Sequence, residues 1–518
     1  MTQALTRPGT LTRRDWVVLL AALVWLAATA WMRPLMLPDE GRYVGVAWEM
    51  LQRGDWLVPT LDGMPFFHKP PLFYWITAAA LAVAGPSEWA ARCAPVLGAA
   101  LGFVSLYVLT LRWCGRGLAT QALLVLLAQP LFYLGGQFAN LDMLVAGCVV
   151  ATIALLADAV LSEQAGLDRR RALLGAYALA GLGVLAKGLI GVVLPGLVIL
   201  AWLAATRRLR LLPKLLSLPG LLLLAAITVP WFVAMQQRFD GFLDYFFVVQ
   251  HFKRFAAGGF NNTQPAWFYP LLLLACFLPW LPWVRQLMRA VPAGGEGREL
   301  RVLMALWAVV IVVFFSMPRS KLIGYVLPAV PPLAWLAADG FRATGKWAAG
   351  WVAALVLGVL VGLGTVLGLS LHTDRSNQAL ALKLRDLRAP EEPVVMLGGY
   401  HYDVPFYAGL TAPSLVVEDW GSPDIDRRDN WRKELADAGR FVPAEAARLL
   451  VRPQDLPARL CALPRAWIIG PEDAVADHRL LAGAEAVPVR GRLQLWRFER
   501  SKAATVCPQT PTAAPAGK

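Results

Sequence analysis

The residues most suited to chemistry lie in a hydrophilic stretch that follows the first apolar segment of the chain. This stretch contains Pro38-Asp39-Glu40-Gly41-Arg42-Tyr43 and, further on, His68-Lys69-Pro70. Of two adjacent carboxylates, one can act as a general base or a metal ligand while a nearby arginine orients the other. Charged groups at a membrane boundary are costly and usually have a partner. We therefore identify Asp39 and Glu40 as candidate catalytic residues, with an interfacial helix cap and a surface ion pair as the alternative.

A further acidic residue, Asp142, stands at the outer mouth of a long apolar segment. The sequence between Arg92 and Arg207 contains four acidic residues. The membrane topology derived below places Asp142 on the outer side and the other three on the cytoplasmic side. The carboxylate could be a helix N-cap or part of a catalytic site. We favour the catalytic site.

Two basic clusters are candidate anion-binding groups. One holds Lys253 and Arg254, and the other holds Arg319, Lys321 and Tyr325. Cationic side chains completed by a phenol hydroxyl can grip a phosphate group. The alternative is contact with lipid headgroups at the membrane surface.

Two of the five histidines, His68 and His251, fall in outer loops. With Asp142 or Glu40 nearby they would hold a divalent metal, and histidine suits zinc. A lone histidine is more often structural, and this spacing is too long to distinguish the two readings.

Membrane-spanning helices must position these groups. The 518 residues are 57% hydrophobic and only 16% charged, with a mean hydropathy of +0.52. A spanning helix needs about 20 apolar residues, and about eleven segments from 15–36 to 347–371 qualify, among them 118–136 and 322–338. The segment 71–85 is one more span or an interfacial helix. This composition excludes a soluble enzyme, a disordered protein and a secreted disulfide scaffold. The net charge of +14 lies mostly between apolar segments, so it indicates membrane topology and not a nucleic-acid partner.

The basic residues also predict the orientation and the domains. They place the N-terminus in the cytoplasm and the C-terminus outside. We expect a transmembrane domain over 1–371 with periplasmic loops 37–89 and 236–265, then a small periplasmic α/β domain over 372–500 and a disordered tail over 501–518. Short β-rich runs at 394–397, 415–417, 467–469 and 487–498 predict the strands of the α/β domain. In an oxidising compartment Cys461 and Cys507 could form a disulfide.

All four clusters fall on the outer face under a topology derived from Lys and Arg alone. Carboxylates for chemistry and cations for phosphate then lie at the membrane surface, which suits a lipid-linked phosphate substrate. Transport of a lipid or a small anion is the second class of function, although no repeated halves are visible. A structural scaffold would leave the outer cations without a role.

At these residues the chain resembles the GT-C membrane glycosyltransferases that use polyprenyl-phosphate sugars. It is most similar to the undecaprenyl-phosphate aminoarabinose transferases that modify lipid A, with protein O-mannosyltransferases as the nearest competitors. The motifs that carry the resemblance span 38–43, 54–59, 69–70, 141–142, 250–255 and 320–328. The resemblance implies a helical GT-C fold of eleven to thirteen spans in a bacterial inner membrane.

The resemblance also implies roles for individual residues. Asp39 would be the key catalytic carboxylate, and Asp142 would shape the sugar and acceptor site. His251 would match a metal ligand of that family. The second ligand in the family is a glutamate just before Lys-Pro, and this chain has His68 at that position. The donor phosphate would be held by Arg42, Tyr43, Lys69, Tyr325 and one of Lys253 or Arg254.

The expected reaction is an inverting transfer of a sugar from undecaprenyl phosphate to an acceptor on the periplasmic side. An aminosugar such as 4-amino-4-deoxy-L-arabinose and a lipid A phosphate are the first candidates. A protein hydroxyl or another glycan remains open as the acceptor.

Overall fold

The computed structural model describes residues 9–253, 262–289, 297–345, 347–428, 430–474, 481, 483–503 and 507, apart from the side chains of 250–253 and 287–289. The chain forms two compact units. The first comprises Met1–Arg33 and Phe67–Leu371, and the second comprises Pro34–Phe66 and His372–Lys518. The second unit therefore combines an early segment of the chain with the polar C-terminal part.

The regular elements that the structure describes in the first unit are helices, joined by loops. Six of the described helices are long and apolar enough to cross a membrane, and three more apolar helices, Leu72–Ala84, Arg116–Ala128 and Ile190–Ala205, are shorter. The six are Cys93–Cys114, Leu141–Gln164, Leu218–Arg238, Phe268–Gln286, Arg298–Ser316 and Ala348–Leu371. The fourth is not one uninterrupted α-helix, because a 3₁₀ turn joins Phe268–Phe277 to Leu281–Arg289. The other helices of this unit are Arg13–Ala27, Glu88–Ala91, Pro130–Gly135, Arg170–Lys187, Leu212–Leu215 and Val330–Thr344, with 3₁₀ turns at Leu209–Leu211, Leu278–Trp280 and Ile323–Ala329 and a π-helical segment at Asp244–Lys253.

Proline explains why several predicted spans are shorter or broken. Proline lacks an N–H group and clashes with the preceding turn, so it ends or kinks a helix. The span expected over 118–136 is two helices that meet at Pro130. The span expected over 322–338 begins as a 3₁₀ turn containing Pro328 and continues as Val330–Thr344. By length and composition the described helices give six clear spans, and the number of eleven to thirteen stays a prediction.

Two of the long helices approach each other very closely. A Cβ atom on Gly147 would lie 2.0 Å from the carbonyl oxygen of Gly98. Glycine at both positions therefore lets Cys93–Cys114 and Leu141–Gln164 pack backbone to backbone, as small residues do between membrane helices. This contact fixes the helix that begins beside Asp142.

The second unit is built around strands and short helices. Its early segment forms the helix Asp39–Arg53 and a hairpin of β1 (Thr60–Leu61) and β2 (Met64–Pro65). Its C-terminal part forms a sheet of six described strands: β3 (Val394–Leu397), β4 (Leu415–Val417), β5 (Leu450–Val451), β6 (Arg465–Pro471), β7 (Glu485–Val487) and β8 (Leu493–Glu499). The remaining helices are Gln378–Leu387, Val404–Ala408, Asp424–Arg427, Trp431–Arg440, Pro443–Leu449 and Leu456–Cys461, with 3₁₀ turns at Pro453–Asp455 and Arg500–Ala503.

The sheet is mixed, in the order β5-β4-β3-β6-β8-β7. Strand β3 pairs in parallel with β4 and β6, while β8 is antiparallel to β6 and β7. All four residues of β3 are apolar and buried, which is typical of a strand covered on both faces. The predicted fold class, a helical membrane protein with a small C-terminal α/β region, is confirmed.

A disulfide joins Cys461 to Cys507, as the sequence allowed. Cys507 is buried against the hydrophobic core of the sheet. The bridge therefore ties the last described residue of the chain to the core of the second unit.

Candidate functional site

The acidic motif opens a helix in the second unit. Asp39 is the first residue of Asp39–Arg53, where a carboxylate is favoured by the helix dipole. Its side chain is 30% exposed, and Arg42, one turn later, donates a hydrogen bond to it. Asp39 therefore keeps an accessible carboxylate with a cation fixed beside it.

Arg42 is held on its other side by Glu434, from the helix Trp431–Arg440. Glu434 is nearly buried and also accepts a hydrogen bond of 2.6 Å from the hydroxyl of Tyr402. Burial, reinforced by the charge of Glu434, raises the pKa of Tyr402 well above its ordinary value, so this phenol stays a donor. The guanidinium carbon of Arg42 also lies 5.1 Å from the ring centre of Tyr43.

Glu40 differs from its neighbour Asp39. It is fully buried, and its carboxylate accepts the backbone N–H of Met36 at 2.9 Å. Successive helical residues point about 100° apart because a turn contains 3.6 residues. The geometry thus gives Glu40 a structural contact, and its catalytic role stays a prediction.

Asp142 forms the centre of a second cluster, in the first unit. The side chain of Asn140 caps the helix Leu141–Gln164 by accepting the N–H of Asp142, so Asp142 lies in the first turn and is not the cap. Its carboxylate pairs with Lys187, the last residue of the helix Arg170–Lys187. Both charges lie at the helix ends that favour them.

The ring of Tyr325 completes this cluster. The Lys187 ammonium lies 4.2 Å from the centre of that ring, within the range of a cation–π interaction. A Cβ atom on Gly324 would lie 2.1 Å from Oδ2 of Asp142, so the absence of a side chain at Gly324 allows the 3₁₀ turn to reach the carboxylate. Asp142, Lys187 and Tyr325 together line a small cleft whose other lining residues are mostly apolar.

Lys321 contacts backbone carbonyl groups in this structure. It is 3% exposed, and its ammonium donates to the carbonyl oxygens of Gln264, at 3.0 Å, and Pro318. Its backbone N–H donates to Asn262, which ties the two loops together. Burial lowers the pKa of Lys321. These contacts indicate a structural clamp, and phosphate binding by Lys321 stays a prediction.

The other predicted residues are only partly covered by the structure. His68 is buried, with its ring 6.2 Å from that of Tyr245, and Lys69 is half-buried just before the helix Leu72–Ala84. Arg254 and the side chains of His251 and Lys253 lie outside the described residues. Within the described part of the chain, no three His, Cys, Asp or Glu residues come together as a metal site. The zinc site at His68 and His251 stays a prediction.

The structure adds residues that sequence reasoning missed. Lys187 had a weak signal, since it is one of the basic residues on the predicted outer side. Glu434 and Tyr402 had none, because they lie in the polar C-terminal part among many similar side chains. Each cluster pairs a carboxylate with a cation beside a tyrosine ring.

Comparisons with known proteins agree on the kind of protein. Residues 68–233 match the family described as dolichyl-phosphate-mannose-protein mannosyltransferase. The undecaprenyl phosphate-alpha-4-amino-4-deoxy-L-arabinose arabinosyl transferase of Aeromonas salmonicida is 30% identical over 385 residues, which cover 71% of this chain and 69% of that protein. The protein of the same name from Yersinia enterocolitica is 32% identical over 329 residues, covering 62% of this chain and 58% of the relative. The chain thus spans somewhat less than two thirds of the length of this second relative.

The crystal structure of ArnT from Cupriavidus metallidurans bound to undecaprenyl phosphate has the same fold. Its TM-score is 0.79 at 24% identity, and the match covers 96% of this chain and 100% of that chain. The apo structure of the same protein gives a TM-score of 0.77, also at 24% identity, over 94% of this chain and 99% of that chain.

Proposed function

Because the chain belongs to the family of undecaprenyl phosphate-alpha-4-amino-4-deoxy-L-arabinose arabinosyl transferases, we propose that it is a membrane glycosyltransferase. It would move an aminosugar, such as 4-amino-4-deoxy-L-arabinose, from undecaprenyl phosphate to a phosphate group of lipid A. The observation that carries this proposal is the accessible carboxylate of Asp39 with Arg42 fixed beside it, on a chain of this family.

The proposed reaction is a single displacement that inverts the anomeric centre. An oxygen of the acceptor phosphate attacks the anomeric carbon and forms the new bond. The bond from that carbon to the donor phosphate oxygen breaks, and undecaprenyl phosphate leaves with the electron pair. Cationic side chains and phenol hydroxyls stabilise the negative charge that develops on the leaving phosphate. Arg42, Tyr43, Lys69 and Tyr325 are the described residues proposed for this task.

Asp39 is the proposed catalytic carboxylate. A phosphate acceptor is already ionised at neutral pH, so it needs positioning more than deprotonation. Asp39 would then orient the reacting groups beside Arg42. If the acceptor is a Ser or Thr hydroxyl, the same carboxylate must act as the general base. Asp142, paired with Lys187, is proposed to shape the binding of the sugar and the acceptor.

We propose that the protein lies in the bacterial inner membrane with its N-terminus in the cytoplasm and the second unit in the periplasm. The Cys461–Cys507 disulfide supports this orientation, since such bonds persist in the periplasm and are rare in the cytosol. The distribution of Lys and Arg supports it independently.

Mass spectrometry of lipid A tests the proposed function. Cells that carry the gene should show lipid A with an added aminosugar on a phosphate, and cells without it should lose this increment. Complementation with Asp39→Asn should fail, while the protein still accumulates in the membrane. Asp386→Asn is the matched control, because this carboxylate is exposed and pairs with its neighbour Arg385.

A second candidate is transfer to a periplasmic protein, favoured by the match of residues 68–233 to protein mannosyltransferases. Unchanged lipid A together with a missing glycan on periplasmic proteins would support this alternative. Full activity of Asp39→Asn in either assay would overturn the role of Asp39.

A further inference from the structure

A small cavity lies within the second unit, apart from the Asp39–Arg42 cluster. The residues around it come from the end of the helix Asp39–Arg53, from the β1–β2 hairpin and from 400–413; they include Glu49, Asp62, Tyr400 and Thr411. The cavity measures about 40 Å³. About 10–15 Å³ suffices for one water molecule, so the space admits an ion with some of its water.

Asp62 contributes a buried carboxylate to this cavity. It occupies the hairpin turn with Gly63, and both residues have positive φ, 51° and 74°. Asp62 is 2% exposed, and its Oδ1 accepts the backbone N–H of Ser414 at 2.8 Å. Among the described residues, its other oxygen, Oδ2, has no hydrogen-bond partner although it is buried. A buried carboxylate oxygen of this kind is costly unless a cation or a proton compensates it.

A second carboxylate, that of Glu49, makes a negative charge on Asp62 more unfavourable. Glu49 accepts hydrogen bonds from Thr60 Oγ1 at 2.8 Å and from the backbone N–H groups of Asp62, at 2.6 Å, and Gly63, at 2.9 Å. Burial, together with the charge of Glu49, raises the pKa of Asp62 well above its ordinary value. Of the described residues that line the cavity, one is basic: Arg53, whose guanidinium donates to the carbonyl oxygen of Gly63 at 3.2 Å. A cation beside Oδ2 would relieve the repulsion between the two carboxylates.

We propose that this cavity binds a Ca²⁺ ion, with Oδ2 of Asp62 as its charged ligand. Among the described residues two carboxylates gather here, so the hydroxyls of Tyr400 and Thr411 and bound water would complete the ligand shell. All these donors are oxygens, which suit hard cations. Calcium accepts irregular shells of six to eight oxygens, whereas magnesium requires a regular octahedron.

The ion would join three parts of the second unit. It would link the hairpin to the segment that contains Ser414, and it would lie beside Glu49 in the helix that begins with Asp39. Its role would be structural, because Asp39 and Glu49 lie ten residues apart in that helix.

Thermal unfolding of the full-length protein in detergent tests this proposal. The wild type should melt about 5 °C higher in saturating Ca²⁺ than in a chelator, because a ligand that binds only the folded state stabilises it. Asp62→Asn should abolish this shift. Asparagine before glycine suits a hairpin turn with positive φ, so this variant should fold. Asp386→Asn, at an exposed carboxylate, should keep the full shift.

Terbium luminescence gives a second measurement on the same proteins. Tb³⁺ replaces Ca²⁺ and emits when a nearby phenol is excited. The emission should be displaced by Ca²⁺, should fall in Tyr400→Phe and should be lost in Asp62→Asn.

Three results would overturn the proposal. An equal Ca²⁺ shift in the wild type and Asp62→Asn would place the ion elsewhere. No Ca²⁺ shift, with Asp62→Asn melting above the wild type, would mean that a proton neutralises Asp62. A larger shift with Mg²⁺ than with Ca²⁺ would refute the choice of calcium.

Discussion

Replacing Glu434 with glutamine removes one of the two carboxylates that hold Arg42 and preserves the size of the side chain. Removing one partner of a buried ion pair typically costs about 3–5 kcal/mol. In this variant Arg42 would still pair with Asp39, and the side chain of Arg42 is 18% exposed to solvent. The glutamine can still accept a hydrogen bond from Tyr402. We therefore expect a smaller loss of stability in the second unit, about 2 kcal/mol.

Hydrogen exchange measured by mass spectrometry can locate this loss. The backbone amides of Trp431–Arg440 should exchange about 30-fold faster in Glu434→Gln, since each 1.4 kcal/mol corresponds to a factor of ten. The matched control is Glu445→Gln. Glu445 and Arg448 form an ion pair within the helix Pro443–Leu449, which follows Trp431–Arg440 in the chain. Their side chains are 48% and 61% exposed. An exposed pair contributes about 0.5 kcal/mol, so the control should change exchange by only about twofold.

The result that would refute this reasoning is equal exchange in the two variants. The buried network around Arg42 would then contribute no more than a surface ion pair. Glu434→Asp provides a further check, because it keeps the charge on a shorter side chain and should restore part of the protection.

Four further predictions concern other parts of the molecule. The unreduced protein should show four reactive thiols after denaturation and the reduced protein six; six in both would mean that the Cys461–Cys507 bridge is absent. Replacing both cysteines with serine should destabilise the second unit by up to about 4 kcal/mol in chemical unfolding, from the loop entropy that the bridge removes. Lys187→Met should reduce sugar transfer at least about 100-fold, since it leaves the buried Asp142 without its cation, whereas Lys187→Arg should retain more activity; equal transfer rates in these two variants would refute a role for the charge. Burial lowers the pKa of His401 to about 4, so the unfolded chain binds a proton more readily and stability falls as the pH drops from about 6.5 to 4. The loss should reach at most about 3 kcal/mol, and His401→Gln should flatten this part of the pH–stability profile; an unchanged profile would contradict the assignment.

Much of the fold could be predicted because it follows from local properties of the chain. Apolar segments long enough to span a bilayer indicated the helices of the first unit, and buried β-rich runs indicated the strands. The segments expected at 394–397 and 415–417 form β3 and β4. It was harder to predict whether each span is one continuous helix. Pro130 and Pro328 interrupt helices, but a hydropathy value averaged over about 20 residues does not detect a single proline.

The candidate site was predictable in part, for a similar reason. Asp39 and Arg42 lie one helical turn apart, so their contact follows from the helix that joins them. Asp142 was noticeable because acidic residues are rare in its apolar surroundings. The different environments of Asp39 and Glu40 were not predictable, because burial depends on the residues that pack against each side of the helix.

The amino-acid sequence by itself determined the membrane character of this protein, its helical fold class and the acidic motif, since each depends on composition or on neighbours in the chain. Only the tertiary structure decided which distant groups complete the clusters. It brings Glu434 to Arg42 across 392 residues and Lys187 to Asp142 across 45. The physical reason is that a buried charge must meet its partner wherever the chain folds back, and no local pattern records which of many similar side chains will be there.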